Sequence, residues 1–371
     1  MIPFLDLKPQ YQVLQQEILH RIKTVLEHGR FINGPEVTEL EEKLAQFVGV
    51  KHALTCASGT DALLIPLMAL GIGPGDEVIT TSFSFVATAE VIYLVGATPV
   101  FVDIDLETYN LDLNQVTQAI SPRTKAIIPV SLFGQTPDLE TLEKICHQKG
   151  IFLIEDGAQS FGASLNQRYS GSFGTVGTTS FYPAKPLGCY GDGGAIFTND
   201  SDLFTRMKQI REHGSEKRYY HTRLGINGRL DTLQCAILLA KLERYPKEME
   251  LRQLKALKYQ KGFSDLQSRG LRLPNVLPQC RSVWAQYTLA HPKRDFIRSE
   301  LEKLNVPTDI HYPRIIPDQP WYQSRLTQSH QSWPKARQAA QEVFSLPLYA
   351  DLPDQVQDHI IDSVRKVCFN L

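Results

Sequence analysis

Between residues 179 and 194 the chain reads TSFYPAKPLGCYGDGG, with a single lysine, Lys185, held between Pro183 and Pro186 and followed by Gly188, Gly191, Gly193 and Gly194. Proline fixes φ and glycine permits positive φ, so the stretch reads as a constrained loop presenting one amine. An amine held in this way, and kept partly neutral by burial, can attack an aldehyde and form a Schiff base. An ordinary loop lysine is the other reading of the same residue.

Three further clusters carry chemistry. In Ile154-Glu155-Asp156-Gly157-Ala158-Gln159, two acids directly follow the apolar run IFLI. At least one carboxylate is thus expected at the carboxyl edge of a sheet, where an unpaired charge is costly and a cationic partner is needed. A turn cap or a pairing with a nearby Lys or Arg is the alternative. Ser58-Gly59-Thr60-Asp61 follows another strand-like run and opens a helix. Its free N–H groups and two hydroxyls suit a phosphate, and a plain Ser or Asp N-cap explains the same residues. Phe83-Ser84-Phe85 places aromatics after a third run, where one ring can stack on a flat heteroaromatic or simply join the core. The glycines of GIGPGDE, 71 to 77, read as a turn, because no helix opens behind them and GxGxxG is not satisfied.

The elements that must position these residues alternate. Short apolar runs at 52–57, 77–82, 99–103, 124–130, 151–156, 175–181 and 195–198 are separated by helical patterns such as 61–70, ended by Gly71, and 138–149, ended by Gly150. Runs without period-two alternation are expected of strands buried on both faces, so the fold class is α/β with a largely parallel sheet. A long helical pattern from about 230 to 259 contains Pro246, which predicts a kink or break. Beyond it come a strand at 282–290, a helix at 295–304 and a final helix at 354–367, which read as a smaller α+β domain. The expected division is a large domain over 1–245 and a small one over 246–371.

Composition bounds the function classes. The 371 residues carry 39 Lys and Arg against 40 Asp and Glu, a formal charge of −1 that argues against nucleic acid or an anionic membrane as partner. MIPFLDLKPQ lacks the features of a signal peptide and no stretch is long enough to span a bilayer, so a cytoplasmic location is expected. The six cysteines show no CxxC or His/Cys cluster, so neither a metal site nor a disulfide framework is indicated. Cys189 lies beside the lysine loop and reads as a packing residue rather than a reactive one.

A phosphate cradle, a stacking ring, a carboxylate for a pyridinium nitrogen and a constrained lysine for an aldehyde are together what pyridoxal 5′-phosphate requires, since a protonated ring makes that cofactor an electron sink.

The ordered motifs also resemble those of the DegT/DnrJ/EryC1/StrS nucleotide-sugar aminotransferases. They run from IPFLDLKPQY and GRFINGPEVTELEEKLAQFVGV through ASGTDALL, GDEVITTSFSFVATAE, FVDID, IEDGAQSFGA, TSFYPAKPLGCYGDGGAIFTND and GINGRLDTLQCAILLAKL to the C-terminal HYP. The resemblance covers essentially the whole chain. It implies the pyridoxal phosphate-dependent transferase fold type I, that of aspartate aminotransferase, with pyridoxamine 5′-phosphate as the second cofactor form. By position it implies that Lys185 forms the Schiff base, Asp156 pairs with the pyridine nitrogen, Gln159 approaches the ring hydroxyl and Phe85 stacks on the ring. Gly59, Thr60 and Ser180 would hold the phosphate, aided by Asn227 from the neighbouring subunit of a homodimer with shared active sites.

Some family members carry His in place of this lysine and dehydrate sugars, so Lys185 points to transamination, with L-glutamate as donor and 2-oxoglutarate as its product. PLGCYGDGGAIFTND and RLDTLQCAILLAKLE look like the pattern of members that aminate C3 of UDP-2-acetamido-2-deoxy-3-oxo-glucuronate for surface polysaccharide such as lipopolysaccharide O-antigen. Arg229, His311 and Tyr312 would then meet the uronate, although Arg229 has a structural reading too. After HYP the segment RIIPDQPWY departs from the family's usual proline and small apolar residues. Alternatives are a dTDP- or GDP-linked deoxy keto sugar as acceptor, a sugar dehydratase or isomerase, and a non-catalytic regulatory protein that binds the cofactor. The last is expected to carry a DNA-binding helical module, for which neither terminus leaves room.

Overall fold

A computed structural model describes residues 2–325 and 332–371. At its centre is a seven-stranded sheet made of β1 (His52–Cys56), β2 (Glu77–Thr81), β3 (Thr98–Val102), β4 (Thr124–Ile128), β5 (Phe152–Asp156), β6 (Val176–Ser180) and β7 (Gly194–Thr198). The strand order is β1-β7-β6-β5-β4-β2-β3. β7 runs antiparallel to both of its neighbours, and the other pairs are parallel. The seven apolar runs expected between 52 and 198 are all strands, each within two residues of the expected limits, whereas of the strand expected over 282–290 only Tyr287–Ala290 is one.

The lack of alternation has a direct cause. Ile79, Ile127 and Leu153 enter one core, with Leu139, Leu142 and Cys146. Val78, Ala126, Ile128 and Ile154 enter the core on the opposite face, with Leu63, Ile65, Val91 and Met207. Both faces are covered, so the middle positions of β2, β4 and β5 are apolar on either side and no alternation appears. Helices α1 (Lys8–His28), α2 (Pro35–Val48), α3 (Gly59–Ala69), α4 (Ala87–Leu94), α5 (Leu113–Ala119), α6 (Leu139–Lys149) and α7 (Ser201–Arg211) belong to this part of the chain. The GIGPGDE segment is a turn, closed by the Asp76 N–H on the Gly73 carbonyl, and β2 follows directly.

Helix α8 (Thr232–Phe263) continues through Pro246, so of the expected kink or break the break does not occur. The proline removes the hydrogen bond to the carbonyl of Leu242. Burial on both sides of that point holds the helix together. Cys235, Leu238, Leu242, Tyr245 and Met249 pack with α2 and the sheet. Ala256, Tyr259 and Phe263 pack with the C-terminal elements. Residue 245, the expected limit of the large domain, therefore falls inside one helix.

The C-terminal elements comprise Arg294–Lys303, Pro334–Glu342, Asp354–Phe369 and a two-stranded antiparallel pair, Tyr287–Ala290 with Val343–Leu346. Helix Pro334–Glu342 is tied to the sheet through Asp103, whose carboxylate accepts the N–H groups of Lys335 and Ala336 at 3.0 and 2.8 Å. That anchor brings segment 309–318 over the carboxyl end of β2, where the Ile316 N–H meets the Ser82 carbonyl.

Candidate active site

Glu155 and Asp156 end β5, and neighbouring strand residues point to opposite faces. Glu155 is fully satisfied inside the protein by the hydroxyls of Ser131 and Ser170, at 2.7 and 2.5 Å, and by the Gly171 N–H at 2.7 Å. Asp156 faces the other way. It is 5% exposed, its Oδ2 accepts from Thr88 Oγ1 at 2.7 Å, and its Oδ1 accepts from the Ala158 N–H at 3.1 Å. Burial pushes the Asp156 pKa up, opposed by Thr88, Ala158 and the positive charge of Lys185.

The loop after β6 carries Lys185 as its sequence suggests. The Lys185 N–H closes a turn on the Tyr182 carbonyl, and the Cys189 N–H returns to the Phe181 carbonyl. Gly188 is needed here, since a Cβ would lie 2.7 Å from the Tyr182 carbonyl oxygen and 2.6 Å from that of Pro183. Burial lowers the Lys185 pKa, with Asp156 opposing. Among the described residues no hydrogen bond or ion pair engages its Nζ. Cys189 is buried, its Sγ donating toward the carbonyls of Phe181 and Gly191, and burial pushes its thiol up to about 11. That protonated, enclosed thiol fits the packing role.

Gln159, 2% exposed, closes a second side. Its Oε1 accepts from the Phe133 N–H at 2.9 Å, and its Nε2 donates to the Tyr312 hydroxyl at 3.1 Å. Burial, with Asp156 nearby, raises the pKa of Tyr312 and keeps it a neutral phenol. His311 sits within 3.2 Å of Ser345 Oγ and 3.6 Å of Asp309 Oδ2. Burial and the charge of Lys185 lower its pKa against the pull of Asp309. Phe83 is fully buried, whereas Phe85 is 55% exposed with its ring 6.3 Å from that of Tyr312. Of the two aromatics, Phe85 is the one that a ligand can reach.

Beside this group, Ser58 caps α3 by accepting the Asp61 N–H at 3.0 Å. The cap and phosphate readings are compatible, because the N–H groups of Gly59 and Thr60 in the first turn have no acceptor among the described residues. A Cβ on Gly59 would stand 2.6 Å from Ser180 Cβ, so only glycine lets the α3 terminus close on β6. A helix N-terminus and a Ser hydroxyl on one side, an amine and a buried carboxylate beyond, and an accessible ring at the edge suit the phosphate, aldehyde, pyridine nitrogen and ring face of pyridoxal phosphate.

Asn227 and Arg229 lie apart from this cluster. Their segment is tied to the end of β1 by the Ala57 N–H on the Gly228 carbonyl. Asn227 is exposed. Arg229 has a carboxylate partner in its own chain, its Nη1 donating to Glu212 Oε2 at 3.0 Å. Asn33 and Arg211 share Glu212. In the RIIPDQPWY segment, Asp318 is held bidentately by Arg337 at 2.8 and 2.9 Å, and Arg314 reaches the Asp318 carbonyl. Both departures from the family pattern are thus engaged with neighbouring residues.

Sequence reasoning missed Thr88, Glu212 and the Phe133 N–H. Thr88 had a signal, because it lies three residues beyond Phe85, one turn along the segment that opens α4. Glu212 had none.

Known proteins place this geometry in context. The model of the DegT/DnrJ/EryC1/StrS aminotransferase family matches residues 12–365. The chain is 51% identical over 349 residues to a UDP-2-acetamido-2-deoxy-3-oxo-D-glucuronate aminotransferase of Pseudomonas aeruginosa, covering 94% of this chain and 95% of that one. It is 41% identical over 365 residues, 98% of each chain, to a pleiotropic regulatory protein of Geobacillus stearothermophilus. Among solved structures, that of DesV from S. venezuelae in complex with a ketimine intermediate matches with a TM-score of 0.96 and 37% identity over 99% of this chain and 98% of that one.

Proposed function

The chain belongs to the DegT/DnrJ/EryC1/StrS aminotransferase family, whose members depend on pyridoxal phosphate, and from that premise we propose that it transfers an amino group from L-glutamate to C3 of UDP-2-acetamido-2-deoxy-3-oxo-D-glucuronate. The observation that carries the chemistry is the convergence of the unpartnered Lys185 amine and the buried Asp156 carboxylate, each perturbing the other's charge. The identity over nearly the whole length to the P. aeruginosa enzyme supports the substrate. The product would serve surface polysaccharide such as lipopolysaccharide O-antigen.

When bound, the cofactor supplies an electron sink for the negative charge that develops at Cα of the amino donor. Asp156 holds the ring nitrogen in its protonated form, and Gln159 meets the ring hydroxyl. Lys185, whose lowered pKa keeps part of it neutral, takes the Cα proton on Nζ and returns it as a general acid. Phe85 covers one ring face and excludes water. Gly59, Thr60 and Ser180 hold the phosphate, with Asn227 completing the cradle from the neighbouring subunit of a cytoplasmic homodimer. Exposed Phe31, Ile32 and Leu224 support a partner on that side, since Asn33 bonds Glu212, which in turn bridges Asn227. Arg229, brought in like Asn227 from the neighbouring subunit, offers the sugar carboxylate the guanidinium edge that Glu212 leaves free, and His311 and Tyr312 meet it from this one. The domain division belongs to the same reading, residues 1–245 carrying the cofactor and 246–371 covering it.

The test mixes the purified pyridoxamine form with a panel of nucleotide keto sugars made in situ and follows the visible band of the pyridoxal form. Recovery with the UDP-linked 3-oxo-glucuronate alone supports the assignment. Recovery only with neutral 6-deoxy keto sugars keeps the aminotransferase and discards the uronate. No response to any sugar or to glutamate favours the regulatory reading, to which the G. stearothermophilus relative lends its name.

A further inference from the structure

Lys241, on α8, is 1% exposed, and no carboxylate lies within ion-pair distance of its ammonium among the described residues. A buried cation without a carboxylate partner is costly, and it must be held by other groups. Here those groups belong to the loop that carries Lys185. Lys241 Nζ donates to the Gly188 carbonyl and stands 4.5 Å from the centroid of the Tyr190 ring, a cation–π contact. Two turns earlier on the same helix, Gln234 bonds both backbone groups of Tyr190, its Oε1 accepting the N–H at 2.9 Å and its Nε2 donating to the carbonyl at 3.3 Å.

The neighbouring acids on the helix are engaged elsewhere: Glu243 pairs with Arg21 and Lys43, and Glu248 takes two hydrogen bonds from Gln10 at 3.0 and 2.8 Å and lies 3.4 Å from Arg244. Burial brings the Lys241 pKa down to about 8 against the pull of Glu248 and Cys189. The cation thus sits at a cost, directed at the limb of the loop that follows Lys185 by three residues.

We propose that Lys241 is a positioning residue for Lys185, its buried ammonium fastening the Gly188–Tyr190 limb of the loop to α8 so that the catalytic amine is held against Asp156. The inference rests on Lys185 being the cofactor-bearing lysine.

Lys241→Met in the holoenzyme tests it, since Met fills similar volume and removes the buried charge. Three results are expected. Hydrogen exchange in a peptide covering 182–191 quickens about tenfold or more, while the thermal midpoint stays equal or rises. kcat falls about 10- to 100-fold, the scale of a displaced reacting group, with KM for glutamate changed less than about threefold. The pH midpoint of the visible cofactor band shifts. Unchanged loop exchange together with unchanged kcat and band midpoint overturns the proposal and leaves the assignment of Lys185 intact, whereas an active Lys185→Ala overturns the assignment itself. If Lys241→Met does not fold, Lys241→Gln keeps an N–H donor, and the same readouts decide.

Discussion

The hydroxyl of Thr88 and the carboxylate of Asp156, 68 positions apart in the chain, meet at 2.7 Å between α4 and the end of β5. Thr88 is one of two donors to that carboxylate among the described residues, and a hydrogen bond to a charged group contributes about 1.5–3 kcal/mol. Thr88→Val keeps the shape and deletes the donor. It should weaken cofactor binding by about tenfold or more and lower kcat, because a loosely oriented Asp156 holds the ring nitrogen less well. Cofactor titration and steady-state kinetics check both, and unchanged values would remove Thr88 from the site.

Gly59 and Ser180 set a steric test. A methyl at residue 59 would stand 2.6 Å from Ser180 Cβ, too near for either backbone to stay in place. Gly59→Ala should fold, since Ala favours helices, but it should spread the cradle and weaken cofactor affinity about tenfold or more. Equilibrium dialysis with pyridoxal phosphate measures this, and added inorganic phosphate should compete less well with the cofactor in the variant.

What could be read from the sequence follows physical rules, and so does what could not. The strands were legible because a sheet covered on both faces makes consecutive strand residues apolar, as in Val78-Ile79, Ala126-Ile127-Ile128 and Leu153-Ile154. Lys185, Asp156 and Gly59 were legible because their neighbours, prolines, glycines and a strand end, constrain the backbone locally. At Pro246 the break that local propensity allows does not occur, because burial on two cores overrides it. Thr88, Glu212 and Lys241 act through residues distant in the chain. Lys241 in AKLERY looks like any helical lysine until the fold sets the Gly188 carbonyl against it.

Lys185→Ala should leave the fold intact, because no hydrogen bond or ion pair of the described residues engages Nζ. Turnover should fall about 100- to 10,000-fold or more, the span of a lost general acid and base. Supplying a small primary amine should restore part of the rate. The check is kcat with and without the amine at constant ionic strength.

Glu212 occupies one edge of Arg229 through a 3.0 Å hydrogen bond and is shared with Asn33 and Arg211. Glu212→Ala releases the guanidinium from its only carboxylate among the described residues. On the uronate reading, KM for the sugar should rise about tenfold, since a bidentate Arg contact depends on a fixed fork, with KM for glutamate unchanged. Equal changes in both constants would make the pair structural.

Asp156 also costs the cofactor-free protein stability, and the sign can be worked out. Its folded pKa is raised by burial, so between the unfolded carboxyl pKa, about 3.9, and the folded one the native state binds the extra proton. Stability therefore falls as pH rises through that window, and the loss persists at neutral pH. Asp156→Asn removes the titration. The apo form of that variant should melt about 1–3 °C above the wild-type apo form at pH 7, the difference shrinking toward pH 4, while its turnover collapses. Calorimetry of both apo forms across that range makes the comparison. A lower midpoint at pH 7 would mean that the charge is already compensated within the protein, and that Asp156 does not await the positive ring nitrogen.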